Sequence, residues 1–284
     1  MRIPCWGRGM RALALGASLA AAAACSETVA PPAPSITYET EHFVILDDGS
    51  GLDSVTVVAL AARLELELER VGQVLTGLTP PALITARVRP GFGLPYVTAS
   101  DSSLTLWSDT LALDYLPHQL THLYTRYARR EFVEEGLAVY VSELLLPDVG
   151  TVHPYRGQPP HAWVSLFQIH GSLIALSPAY AATNLGYALE GSTFDASAWQ
   201  LFIEGGSFVH WVVDTYGWPA WWEAYQTDDP ATALGATGTE LEDGWLAATR
   251  AQYPDPVPCE EALGAVGPRE EFWCRRARGE STGR

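Results

Sequence analysis

At 284 residues, with 48% hydrophobic, 18% charged and 11% aromatic side chains, the chain carries enough apolar material for one substantial globular domain with small appendages. That composition excludes a largely disordered polymer. The formal net charge of -16 argues against binding nucleic acid or an anionic membrane surface through the protein's own charge, and reads first as a solubilising surface.

Residues 1–24 stand apart from any fold. Arg2, Arg8 and Arg11 precede an uninterrupted small and apolar run over 12–24, which has the charge order and length of a secretory signal peptide and is too short for a membrane span. Removing it takes away three positive charges and no acidic ones, so the formal charge moves from -16 to -19. Ala22-Ala23-Ala24-Cys25 resembles a bacterial lipobox, in which the cysteine is lipidated and becomes the mature N-terminus. Ordinary signal cleavage, with Cys25 left as a thiol, is the alternative. In a Gram-negative cell Ser26 suits sorting to the outer membrane, so the expected location is the bacterial cell envelope, with a lipid at Cys25 as the membrane attachment. Residues 25–36 continue as a Pro- and Ala-rich linker whose role is reach.

The domain is expected over 37–252. Alternation and branched residues predict a strand at 38–46, and Asp47-Asp48-Gly49-Ser50-Gly51 turns the chain. From 54 to 77 apolar residues recur at Val57, Ala61, Leu64, Leu68, Val71 and Leu75, which marks an amphipathic helix. The LELELER stretch inside it also fits a strand, but the longer window favours helix. His42 has no acidic or His neighbour at ligand spacing and reads as structural. Thr79-Pro80-Pro81 stops the helix; residues 82–88 form a second strand, 91–95 a loop and 103–107 a third, short strand.

The stretch 114–143 reads as two helices joined by a tight turn. His118 and His122, at i and i+4, project from one face of the first helix, roughly opposite Leu116 and Leu120. Leu116, Leu120, Leu123 and Tyr127 form its apolar side. On the second helix Phe132, Val133, Leu137, Val141 and Leu144 give the buried stripe, while Gly136 and Ala138 permit close helix approach. A carboxylate from this helix can complete a three-ligand site with one open position, the layout of a catalytic zinc. Glu134 and Glu135 compete for that role; an acidic pair at a helix start also suits the helix dipole.

Residues 147–200 are the least regular part, with Pro159-Pro160 and with His153, His161 and His170 at spacings that match no pair on one helical face. These histidines read as solvated or packing residues. A helix opens at Gly205-Gly206 and ends at Gly217, with a core role and with His210 a candidate to support the site. Pro219 starts a short helix, PAWWEAY. Thr239 with Glu242 makes a capping box for a last helix to Gln252. Trp211, Trp218, Trp221, Trp222 and Trp245 read as core, with a carbohydrate platform as the alternative. In the tail, 253–284, Cys259 and Cys274 lack metal-site spacing; in an oxidising compartment their disulfide would contribute about 3 kcal/mol.

H-x-x-T-H-L at 118–123, E-G-L-A-x-Y-x-S at 135–142, G-S-F-V-x-W at 206–211 and Y-G-W at 216–218 together resemble the gluzincin peptidases of the peptidase MA-like superfamily, relatives of thermolysin. The resemblance covers 38–252. It implies a zincin-like α+β fold, with a small N-terminal sheet packed on the active-site helix over 37–146 and a mainly helical C-terminal subdomain over 147–252. It implies Zn2+ held by His118, His122 and Glu135, the carboxylate just before Gly136, with Glu134 flanking. It makes 103–107 the edge strand that pairs with an extended substrate, and Tyr180 and Tyr187 candidates to stabilise an oxyanion. In the family a Glu follows the first His and takes a proton from water. Here Gln119 occupies that position, and an amide cannot act as a general base. The expected function is therefore an exported zinc-binding protein of impaired peptidase chemistry, with a peptide or protein substrate or ligand. A slow but active metallopeptidase and a metal-free interaction scaffold are the alternatives.

Overall fold

The computed structural model describes residues 35–111, 113–126, 131–146, 159–176 and 196–256. Cys25, Tyr127, His153, Tyr180, Tyr187, Cys259 and Cys274 lie outside them. Among the described residues the fold is α+β. Its one sheet has the order β1-β2-β3-β5-β4, from β1 (Ser35–Glu39), β2 (Phe43–Asp47), β3 (Ile84–Arg89), β4 (Tyr96–Thr98) and β5 (Ser103–Trp107). The central pairs β2–β3 and β3–β5 are parallel, whereas β1 and β4 run antiparallel to their neighbours. Period-2 alternation places Phe43, Ile45, Ile84, Ala86, Val88, Leu104 and Leu106 on the buried face.

Helix α1 (Ser54–Val74) joins this core through Val57, Ala61, Leu64, Leu68 and Val71 of the predicted stripe, with Leu75 buried just beyond its end and Leu60 buried in addition to it. Each large aliphatic side chain so buried is worth about 1.5–3 kcal/mol. Asp53 caps its N-terminus by accepting from the Thr56 amide.

Two expectations for the sheet change. The strand at 38–46 is a β1–β2 hairpin, because the chain reverses at Thr40–His42. Glu65 of α1 holds the turn, accepting from Thr40 Oγ1 at 2.6 Å and His42 N at 2.8 Å and lying 2.8 Å from His42 Nδ1. His42 is thus structural, but through an acidic partner distant in sequence. The strand at 103–107, expected at the edge, lies inside the sheet; the edge on its side is β4, which follows the 91–95 loop.

Helices α2 (Leu116–Thr125) and α3 (Glu131–Leu145) follow. Pro117 opens α2, and Arg126, in the left-handed region at φ 56°, closes it by donating its amide to His122 O. Tyr124 Oη donates to Leu68 O at 2.9 Å, tying α2 to α1. The stripe on α3 is buried at Phe132, Val133, Leu137 and Val141 but not at Leu144, which is 52% exposed near the helix end.

Further on are α4 (Pro160–His170), α5 (Ala196–Tyr216), α6 (Trp218–Thr227), α7 (Pro230–Leu234) and α8 (Gly238–Gln252). Helix α4 was not legible: residues 160–167 are all buried, so its sequence shows no polar face to set a period. Helix α5 begins before Gly205 and Gly206, which sit inside it. A Cβ on Gly136 would lie 2.6 Å from the Gly205 carbonyl carbon, and one on Gly206 would meet the Val139 side chain. These glycines let α3 and α5 meet backbone to backbone. The capping box on α8 is Thr237 with Glu240, two residues earlier than Thr239 with Glu242; Glu242 instead accepts from Leu176 N at 3.2 Å.

Gly136→Ala is expected to destabilise the protein by about 3 kcal/mol, since the methyl meets backbone that no rotamer change can clear. Gly238→Ala, with nothing within 4 Å of its new Cβ, should be neutral or stabilising by about 0.4–1 kcal/mol. Urea denaturation of both tests the pair, and equal effects would refute the close-approach account.

Candidate metal centre

The α2–α3 hairpin brings His118, His122 and Glu135 together. Their ligand atoms all lie within 4.8 Å of one another, and all three residues are buried. His118 Nε2 and His122 Nε2 are 3.2 Å apart, and Glu135 Oε2 lies 3.1 Å from the first and 3.4 Å from the second. Ligands about 2.0–2.1 Å from a tetrahedral zinc ion stand about 3.3 Å from each other. The three donors therefore already form one face of such a tetrahedron.

The electrostatics suit a cation. Burial alone would raise the Glu135 carboxyl, but the charge of His122 and hydrogen bonds from both imidazoles outweigh it and hold the group well below the usual carboxylate range. Burial pushes the His118 imidazole down, against the opposing pull of Glu135. A carboxylate anion and a neutral imidazole are the forms that bind metal.

From Leu116 to Thr125 every residue of α2 is buried except Gln119, which is partly exposed. Of the two histidines, the side chain of His118 keeps 11% exposure against none for His122.

The neighbouring carboxylate has a different role from the one that its place near a helix start suggests. Glu134 is fully buried, and Tyr225 of α6 donates its hydroxyl to Glu134 Oε1 at 2.8 Å. Sequence reasoning missed this pair, since 91 residues separate the partners.

The other described histidines do not join the centre. His170 is exposed at the end of α4. His161 is buried, with Nδ1 2.7 Å from Ser207 Oγ, which also accepts from Trp245 Nε1 at 2.9 Å. His210 packs beside His161, its ring nitrogens 3.7 Å from Glu143 and 3.6 Å from Asp214. It braces α3 and α5 rather than the metal group. Trp221 and Trp245 are fully buried, and Trp218 and Trp222 stack on each other with centroids 6.1 Å apart, which occupies ring faces that a sugar would need. A cavity of about 430 Å³ beside Glu41, His42, Glu65 and Tyr124 shares no residue with the metal group.

His161 gives the fold an acid sensitivity. Burial, then the charge of His210, lowers its pKa to about 4. The unfolded chain binds this proton near pH 6.5 and the folded chain does not, so stability is full above that pH and falls as pH drops towards 4. The loss should reach about 3 kcal/mol. His210 acts oppositely: the Glu143 carboxylate, 3.7 Å from its ring, raises its pKa, so its contribution is present in acid and fades as pH rises. Urea melts of wild type and His161→Gln between pH 7 and 4 isolate the first effect, the variant being expected to lack that part of the slope. Parallel slopes would sink it.

No family model matches the chain, and no curated protein matches it.

Proposed function

We propose that the chain is an exported, lipid-anchored, zinc-binding protein of gluzincin fold whose peptidase chemistry is impaired by Gln119. The observation that carries this reading is the convergence of His118, His122 and Glu135 at separations of 3.1–3.4 Å. Two imidazoles and one carboxylate are the donor set of a catalytic zinc with an open fourth position. The α+β layout, with a small sheet before the site helices, supports the fold assignment, and the signal and lipobox-like residues support export and anchoring at Cys25.

Zn2+ bound here would act as a Lewis acid on a carbonyl and lower the pKa of water. The chain's own residues restrict the proton transfers that hydrolysis needs. Gln119 is partly exposed, and its amide can hydrogen-bond a water molecule or a peptide but cannot act as a general base. Glu134 does not substitute, because it leaves α3 about 100° away from Glu135 and is engaged by Tyr225. An extended peptide or protein segment is the ligand that fits best: β4 is one of the two antiparallel edges of the sheet, the one packed near α2, with Tyr96 and Thr98 exposed.

Elemental analysis of the purified protein tests the reading. One zinc per chain is expected in wild type and none in His122→Ala. Wild type that takes up no zinc would leave the metal-free scaffold in its place.

A further inference from the structure

We infer that Tyr225 is a positioning residue for the metal centre, holding Glu135 in line with His118 and His122 through its hydrogen bond to the adjacent Glu134. The inference rests on the proposed zinc site. Consecutive residues on a helix leave it about 100° apart, and here the two buried carboxylates are engaged from two sides. Glu135 turns to α2, within 3.1 and 3.4 Å of the two Nε2 atoms, while Glu134 turns to α6 and accepts from Tyr225 at 2.8 Å.

Contacts on both sides of one turn fix its rotation about the helix axis. A carboxylate stands about 5–6 Å from that axis, so a rotation of about 20° would move Glu135 Oε2 by about 2 Å. That is the length of a whole zinc–oxygen bond. Small rotations of α3 therefore decide whether three ligands or two can bind.

The Tyr225 ring is itself held. Trp222 stacks on it with centroids 4.9 Å apart and planes 10° from parallel, and Trp218 stacks on Trp222. Tyr140 of α3 stacks in turn on Trp218 at 6.1 Å. The aromatic ladder thus leaves α3 at Tyr140 and returns to it at Glu134, so α6 grips α3 at two points. The hydroxyl arrives at Glu134 with little freedom left to lose.

Tyr225→Phe keeps the stacked ring and removes the hydroxyl, while Glu134→Gln keeps an oxygen that can accept from Tyr225. Leu64→Ala, in the core on α1, serves as a purely structural control. Zinc affinity of each purified protein is measured by competition with a chelator of known affinity, alongside its melting temperature. Tyr225→Phe should weaken zinc binding by about tenfold, the lower end for residues that support metal ligands. Glu134→Gln should lose clearly less than that tenfold. Leu64→Ala should lower the melting temperature with zinc affinity unchanged.

Tyr225→Phe binding zinc as wild type does, or losing no more affinity than Leu64→Ala, would overturn the inference. So would Glu134→Gln weakening zinc as much as Tyr225→Phe. Failure of the zinc reading has a different signature: wild type and His122→Ala would then both bind none, and the inference would fall with it.

Discussion

Gln119→Glu should raise peptide hydrolysis over wild type by about 10²- to 10⁴-fold, the usual contribution of a positioned general base. The substitution is nearly isosteric, and the position is the one residue of α2 that is not buried, so the new carboxylate needs no repacking and is not forced to ionise in the core. It follows His118 directly in the sequence, at the position that the family resemblance gives to the general base, which takes a proton from an attacking water. Cleavage of a mixed peptide library, followed by mass spectrometry, should be detectable above background in Gln119→Glu and lost in the Gln119→Glu, His122→Ala double variant. If wild type cleaves as fast, in a manner that depends on His122, another group or the substrate supplies the base and the protein is an active peptidase. If Gln119→Glu holds zinc yet cleaves nothing, the missing carboxylate is not what limits the chemistry.

The grouping of His118 and His122 with a carboxylate of the next helix was legible in the sequence because its parts are local, although spacing left Glu134 and Glu135 open and only the family resemblance chose Glu135. Two histidines four apart share a helical face whatever surrounds them, and Glu135 comes within one short connection. The stripe of α1 was legible for the same reason, since Val57 to Leu75 keep one period along one helix with an exposed opposite side. The features that were missed depend on partners far along the chain. The hairpin at Thr40–His42 is held by Glu65, 23–25 residues away, and the alternation of 38–46 carries no sign of it. Strand β4 has three residues next to a loop containing two glycines and a proline, and only its backbone pairing with β5 identifies it. Gly205 and Gly206 look like a helix start until Gly136 and Val139 occupy the space that their side chains would fill. The Tyr225–Glu134 and His161–Ser207 bonds span 91 and 46 residues, distances over which spacing conveys nothing.

Removing zinc should lower the stability of wild type substantially and leave that of His122→Ala unaffected. The donors are buried at 8%, 0% and 5% exposure for His118, His122 and Glu135, so a cation bound among them is absent from the unfolded chain and stabilises the folded one by mass action. At free zinc about a thousandfold above its dissociation constant this amounts to about 4 kcal/mol. For a domain of this size that is a shift in melting temperature of roughly 8–16 °C. His122→Ala has a further, separate cost. It leaves the buried Glu135 carboxylate with one imidazole instead of two, and breaking a buried charge pair by removing one partner costs about 3–5 kcal/mol. The variant should therefore melt below even the zinc-free wild type and show no response to chelator or added zinc. Differential scanning calorimetry of both proteins, with zinc and with a chelator, distinguishes the two contributions. A wild type that contains zinc but melts at the same temperature after chelation would place that zinc on the surface. The convergence of His118, His122 and Glu135 would then be an ion pair that braces α2 against α3.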